Sequence, residues 1–406
     1  MPVLLQINIT ANWGSHGRIA EEIGQLVMSL GWDSYIAYGR RAKPSKSRLI
    51  HVGSMWDERW HGLQSRLFDN HGLGSKEATM GLINNIRCIK PDIIHLHNIH
   101  GYYLNYPLLF EFLSQIDTPV VWTLHDCWPF TGHCAFYTYA QCRKWMTGCV
   151  KCPQLQAYPR SFFMDQSKRN YSLKKQWFTR KKNIWLVTVS KWLKDEVSQS
   201  FLKGHVVQLI HNGVDVDIFS PMASIDARRI LNLPPKARII LGVASIWEPR
   251  KGLADFIKLR TMLHKEDLIV LIGLTQKQLN HLPQGILGIQ RTENVCQLVA
   301  YYAAADVLVN PTYEDNFPTV NLEAMACGTP VITYRTGGSP ESIDDKTGIV
   351  VEPGNMTMLA QAIDEICDNW NRSQTRQDCR SRAICLFDKN KRYQEYIDLY
   401  QSIIKE

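Results

Sequence analysis

Pro311-Thr-Tyr-Glu-Asp-Asn-Phe-Pro-Thr-Val-Asn-Leu-Glu-Ala-Met-Ala-Cys-Gly-Thr-Pro-Val331 decides how the chain is read. The apolar run just before it, Asp306-Val-Leu-Val-Asn310, reads as a buried strand. A polar loop with two carboxylates follows, then a short helix predicted over Val320–Cys327. Gly328 stops that helix as a left-handed cap, and Pro330 opens a strand at Val331-Ile-Thr-Tyr334. Strand, loop, helix, glycine and strand make half of a parallel α/β unit. Ligands of such units bind beyond the carboxyl ends of the strands, where helix N-termini point. Asp315 and Glu323, with seven residues between them, flank that place. A loop carboxylate and a helix carboxylate can grip sugar or ribose hydroxyls, and free backbone N–H groups suit phosphate. Asn316, Phe317, Pro318 and Thr319 lie between the two acids and are read with them.

The surrounding chain is long for one core, with 406 residues, so two domains are expected. Hydrophobic content of 45% and charged content of 21% describe a soluble globular protein. Met1-Pro-Val-Leu-Leu-Gln-Ile-Asn-Ile9 is too short for a signal peptide, and no apolar run is long enough to span a bilayer. A cytoplasmic protein is the expectation. The net charge of +8 suits a diphosphate ligand or an anionic membrane face. No nucleic-acid motif accompanies it, so nucleic acid is not expected as a partner.

Strand-like runs recur at α/β spacing: Val3–Ile9, Ser34–Tyr38, Ile93–His97, Pro119–Leu124, Ile184–Val189 and Val206–Ile210. After the turn His211-Asn-Gly-Val-Asp215 they resume at Arg238–Val243, Leu268–Gly273, Val307–Val309 and Val331–Thr333. Residues 1–215 and 216–386 are therefore read as two Rossmann-like domains. A final helix, residues 387–406 with Phe387, Tyr393, Tyr396 and Leu399 on one face, is expected to pack back on the first.

Four places could carry chemistry. Gly14, Ser15, His16 and Gly17 sit between the first strand and a helix whose Ile19, Ile23, Leu26, Val27 and Leu30 share a face; an anion site and a plain tight turn both fit. His125 ends a buried strand at Leu124-His-Asp126, where function gathers in a parallel sheet, whereas His95 and His97 read as core histidines. Arg250 and Lys251 in Trp247-Glu-Pro-Arg-Lys-Gly252 precede a helix near Leu253 and suit a diphosphate. Gly337 and Gly338 repeat that logic, with Ser339 as cap and Pro340 at the first helical position.

Cys134, Cys142, Cys149 and Cys152 fall in one Cys-rich insertion, residues 127–153, whose closing Cys-Val-Lys-Cys has metal-knuckle spacing. Structural zinc is expected there, with packed reduced thiols or an iron–sulfur cluster as alternatives and Cys127 and His133 as reserves. The basic, aromatic segment Lys168–Lys182 reads either as an anionic-leaflet contact or as a solvated helix face with Trp177 and Phe178 turned inward.

With these residues in hand, the chain resembles the retaining glycosyltransferases of the family-4 type. The resemblance covers essentially the whole chain and implies the GT-B fold, two Rossmann-like domains facing across a cleft. It places Glu323 on the ribose of a nucleotide-diphosphate sugar, and Asp315, where the family usually has a longer glutamate, near the donor sugar, with Glu314 as the other candidate for that acidic role. Lys251 matches the phosphate-binding lysine. The family often has an arginine where Ile246 stands, and Arg250 is expected to take over its charge. His125 is similar to a histidine near the donor sugar, and Gly14–Gly17 to the glycine loop of the first domain. The stretch from Trp122 to Pro153 further resembles bacterial transferases of colanic acid and other capsular or exopolysaccharides. The resemblance implies front-face transfer to a glycan or lipid-linked acceptor with configuration retained, no cofactor required for catalysis, and peripheral contact with the inner leaflet. A nucleotide-sugar epimerase of the same fold and a non-catalytic sugar- or nucleotide-binding protein are the competing readings.

Overall fold

The computed structural model describes residues 1–405 and divides into two compact units, one built from residues 1–211 with the segment from Tyr393 onward, the other from Asn212–Arg392. In the first unit seven strands form one parallel sheet: β1 Val3–Ala11, β2 Asp33–Ala42, β3 Arg48–His51, β4 Ile93–Leu96, β5 Val120–Leu124, β6 Ile184–Thr188 and β7 Val206–Leu209. Their order is β3-β2-β1-β4-β5-β6-β7. β4 and β5 are buried at every position. Parallel strands covered on both faces read as unbroken apolar runs, which is why the sequence exposed them so clearly.

The second unit has six parallel strands: β8 Ile239–Val243, β9 Leu268–Ile272, β10 Ile286–Ile289, β11 Val307–Asn310, β12 Val331–Tyr334 and β13 Gly348–Val351. They run in the order β10-β9-β8-β11-β12-β13. The three strands absent from the sequence reading, β3, β10 and β13, are all outermost in their sheets. Each is four residues long, and none is buried throughout. Short edge strands carry the weakest pattern.

Strand order reverses between β1 and β4 in one sheet and between β8 and β11 in the other. Loops leaving the carboxyl ends of those four strands frame the crevices where doubly wound folds take ligands. The loop after β1 is shorter than expected: the helix already begins at Gly14 and runs to Ser29, so Gly14–Gly17 is its first turn.

The C-terminal segment joins the core of the first unit. Tyr393, Tyr396, Ile397, Leu399, Tyr400 and Ile403 pack with Leu4, Ile23, Val27, Ile93 and Val121. Tyr400 Oη lies 2.6 Å from His95 Nδ1, and Thr123 Oγ1 donates to Tyr396 Oη at 3.1 Å. At roughly 1.5–3 kcal/mol for each large apolar side chain fully buried, this segment is part of the core, not an appended tail. Phe387 departs from the expected pattern. It ends the preceding helix, Arg372–Phe387, and packs on Phe317 of the second unit with ring centroids 5.7 Å apart. There Val214 N donates to Phe387 O at 2.8 Å and Lys389 N to Val214 O at 3.0 Å, so the chain enters and leaves the unit side by side. Among the described residues no helix is long and apolar enough to cross a membrane.

Candidate active site

In the second unit the loops after β8 and β11 are stitched together. Pro249–Lys251 is one 3-10 turn, and Gly252, at φ +78°, opens the helix Leu253–Arg260. A Cβ on Gly252 would run into the Pro311 carbonyl oxygen, so only glycine lets the two loops touch. Tyr313 N donates to Arg250 O at 2.7 Å, and Arg250 Nη1 donates to Glu314 O at 3.0 Å. The result brings Lys251 Nζ to 2.6 Å from Asp315 Oδ2, with each side chain about one-fifth exposed. A charge-assisted bond of this length places a cation and a carboxylate at the crevice together. Glu314 is buried, and its carbonyl also accepts from Thr312 Oγ1. Of the two candidates for the first acidic role, Asp315 is the one beside the lysine. Arg250 Nε also donates to Glu248 Oε2 at 2.9 Å, so its guanidinium helps tie the two loops together.

Glu323 lies on the helix Thr319–Ala326 and is only 5% exposed. A carboxylate that deep needs a donor. Tyr302 Oη supplies one, at 2.8 Å from Glu323 Oε2. Sequence reading missed Tyr302 because an aromatic in an apolar helix is indistinguishable from core. Asn310 Nδ2 donates to Asn321 Oδ1, Asn321 Nδ2 to Ser342 Oγ, and Ser342 Oγ to Ser339 O, tying β11, this helix and the Gly337–Gly338 turn into one frame. Asp255 adds a second tie, accepting from both Tyr313 Oη and Tyr334 Oη at 2.8 Å. Burial, and then Asp255, push the Tyr334 phenol up.

Asn316, Phe317 and Pro318 are buried, Phe317 O accepts from Asn212 Nδ2 at 3.1 Å, and Pro318 precedes the first helical residue, Thr319. Gly337 takes φ +53°. Ser339 does not cap as expected: Gly338 holds that position, and the buried hydroxyls of Ser339 and Thr336 find no hydrogen-bond partner among the described residues. Buried hydroxyls without partners are uncommon.

The first unit presents imidazoles whose tautomers are fixed by amides. Gln6 Nε2 donates to Ala20 O, so Gln6 Oε1 must accept from His97 Nε2 at 3.0 Å. His97 Nδ1 then carries the lone pair and accepts from His125 Nε2 at 3.1 Å. His125 is left with its lone pair on Nδ1. The same logic holds at His16. Asn8 Nδ2 donates to Thr10 O, Asn8 Oδ1 accepts from His16 Nδ1 at 3.1 Å, and His16 Nε2 becomes the acceptor. The His16 and His125 rings lie 5.9 Å apart. Burial lowers His125 and His97 well below the ordinary imidazole range and His16 to about 4, so all three are neutral near pH 7. Two neutral rings with defined lone pairs are suited to accepting hydroxyl protons. His97, read from sequence as core, is thus the residue that orients His125. His95 is core, held by Thr123 and Tyr400.

Asp126, whose charge beside His125 drew attention to that histidine, faces elsewhere. It pairs with His100 Nε2 at 2.7 Å and accepts from Trp128 N at 2.9 Å. Burial works to raise its carboxyl, and these partners outweigh it, holding the group below the usual range.

Cys134, Cys142, Cys149 and Cys152 line one small cavity. All are free thiols. Cys134 and Cys152 hydrogen-bond one another, Cys149 Sγ accepts from Gly132 N at 3.1 Å, and His133 is committed to Asp69 at 2.7 Å. Among the described residues no group of three or more His, Cys, Asp or Glu side chains is set to hold a metal ion. Lys174, buried, donates to Trp128 O and Thr131 O at the start of the insertion and lies 3.5 Å over the Trp128 ring. Lys174, Tyr171 and Phe178 of the helix Ser167–Phe178 turn inward, and Lys168, Arg169 and Lys175 are exposed on its other side.

Two parallel sheets with crevices at their reversal points, one holding a lysine and two carboxylates and the other a histidine array, define a glycosyltransferase of the GT-B fold. The description "Glycosyltransferase Family 4" matches residues 17–218 and "Glycosyl transferases group 1" residues 237–369, and the chain belongs to these glycosyltransferases. It is 24% identical to the putative colanic acid biosynthesis glycosyl transferase WcaC of Escherichia coli, over 98% of this chain and 100% of that one. Among solved structures it resembles sucrose-phosphate synthase from Thermosynechococcus elongatus, with TM-score 0.74 at 20% identity and full coverage of both chains. Anabaena HepE in complex with UDP-glucose gives TM-score 0.66 at 14% identity, covering 98% of this chain and 99% of that one.

Proposed function

We propose that the enzyme transfers a sugar, with retention of configuration, from a nucleoside-diphosphate donor to a glycan or lipid-linked acceptor in the synthesis of a bacterial surface polysaccharide, working at the cytoplasmic side. The observation that carries this reading is the Lys251–Asp315 pair set beside the frame that holds Glu323 on Tyr302. Lys251 would stabilise the departing diphosphate, an electrostatic contribution typically worth a few kcal/mol. Asp315 would yield the lysine to that diphosphate and meet the sugar. Glu323, its orientation set by Tyr302, would hold the ribose hydroxyls. His125 and His16, in the first unit, would accept hydroxyl protons. UDP-glucose bound to the Anabaena fold relative supports a nucleoside-diphosphate sugar as donor.

The test is a panel of nucleotide sugars, scored for nucleotide release with and without lipid-linked acceptors. Acceptor-dependent release that drops at least a hundredfold in Lys251→Ala supports the reading. Isomerised donor without transfer, or binding without turnover, would overturn it.

A further inference from the structure

Between Phe130 and the helix Ser167–Phe178 the described chain holds a single regular element, the 3-10 turn Lys144–Met146. A connection of that length without secondary structure of its own is uncommon, and no backbone ladder orders it. It encloses a cavity of about 10 Å³ bordered by His133, Cys134, Cys142, Cys149 and Cys152. His133 is 2% exposed, and its Nδ1 lies 2.7 Å from Asp69 Oδ1. A carboxylate accepts, so Nδ1 carries the proton and Nε2 the lone pair. That Nε2 is buried and finds no hydrogen-bond partner among the described residues. A buried acceptor without a donor is uncommon, and an imidazole held by a carboxylate through one nitrogen is how proteins present histidine to a metal.

Sulfur borders the same space. Cys134 and Cys152 hydrogen-bond one another, and His133 lies within electrostatic reach of Cys152. Cys152 in turn bears on Cys149, whose Sγ accepts from Gly132 N at 3.1 Å, and Cys152 accepts from the backbone of Gln154. N–H donors of this kind support thiolates that bind a metal. Lys144 Nζ donates to Val150 O and Lys151 O at 3.0 and 2.8 Å, holding the turn between Cys149 and Cys152, where Lys151 takes φ +49°.

We infer that His133 Nε2, Cys134, Cys149 and Cys152 bind one zinc ion. One nitrogen and three sulfurs make a tetrahedral set suited to this borderline-soft cation, and the space is too small for an iron–sulfur cluster. The four groups border the space without being set as ligands, so the ion draws them inward as it displaces the thiol protons. Three thiolates leave an excess of negative charge, and Lys174, buried within electrostatic reach of Cys149 and Cys134, supplies the balancing cation. Asp126 and Tyr158, on either flank of the insertion, both bond His100, at 2.7 and 3.0 Å, so the site braces the loops leaving β4 and β5. The inference stands apart from the choice of donor.

Full-length protein purified without chelator should carry about one zinc per chain by plasma mass spectrometry. Cobalt exchanged for the zinc should give thiolate-to-cobalt absorption. His133→Gln and Cys152→Ser should lose most of the metal, whereas His133→Cys and Cys142→Ser should keep it. Asp69→Asn, which only loosens the imidazole, should weaken zinc binding about ten- to hundredfold. Because a variant stripped of metal can fail to fold, alkylation of the folded wild type gives an independent reading: Cys134, Cys149 and Cys152 should be protected until the zinc is chelated, and Cys142 should react at once. A folded wild type that holds neither ion, or zinc kept by His133→Gln and lost from Cys142→Ser, would overturn the proposal. So would a disulfide between Cys134 and Cys152 in place of the metal.

Discussion

Mild acid should unfold the first unit well before the second. His61, His71, His95 and His97 are buried, and burial lowers each below the ordinary imidazole range, to about 4 for His61. Three of them use a ring nitrogen as an acceptor: His61 Nε2 takes Gly72 N at 3.0 Å, His71 Nε2 takes Gly101 N at 3.3 Å, and His97 Nδ1 takes His125. A proton on any of these nitrogens would face another N–H. The folded state therefore stays neutral while the unfolded chain takes up protons near pH 6.5. Stability is greatest above that value and is lost as pH falls from it toward the folded pKa values. Between pH 6.5 and pH 5 each such histidine contributes a loss of about 1.6 kcal/mol, and the four together about 6–7 kcal/mol. That is comparable with the whole stability of a typical domain, about 5–15 kcal/mol. Of the thirteen histidines only His264 and His281 lie in the second unit, and of the twelve tryptophans only Trp247 and Trp370. Urea melts followed by tryptophan fluorescence thus report mainly on the first unit. Their midpoint should fall steeply over this range, and His95→Gln should recover about one histidine's share. A midpoint constant from pH 7 to pH 5 would refute the assignment of these rings as buried and neutral.

Two substitutions probe the donor crevice. Gly252→Ala meets both a positive φ and the Pro311 carbonyl; it should cost the second unit about 1–3 kcal/mol and misplace Lys251, seen as a lowered melting temperature with lost turnover. Tyr302→Phe removes the donor to Glu323 while keeping its packing, so the donor KM should rise about five- to tenfold with kcat little changed, as fits roughly 1–1.5 kcal/mol of lost orientation. An unchanged KM would show that Glu323 does not hold the donor.

The frame of the fold was legible because interior parallel strands leave unbroken apolar runs, and because Gly328 and Pro330 punctuate them. The edge strands β3, β10 and β13 left no such trace. At the site, Lys251 and Glu323 could be singled out because residue type and spacing in a strand–loop–helix context already restrict their chemistry. Their partners could not. Tyr302, Gln6 and His97 act through contacts 21, 91 and 28 residues away in sequence, which no local pattern encodes. Arg250 likewise donates to the backbone carbonyl of Glu314, a partner supplied by another loop that its charge alone does not announce.

The placement of Tyr393, Tyr396 and Tyr400 also sets an order of events at the ribosome. The sheet of the first unit is complete once residue 209 has emerged, yet its hydrophobic interior lacks these rings until about 180 further residues are synthesised, ~10–40 s later. During that interval the second unit, contiguous in the chain, can finish folding while the first waits with an open flank over Leu4, Ile93 and Val121. The helix carrying these tyrosines thus closes the domain that was begun first only after the second has been synthesised.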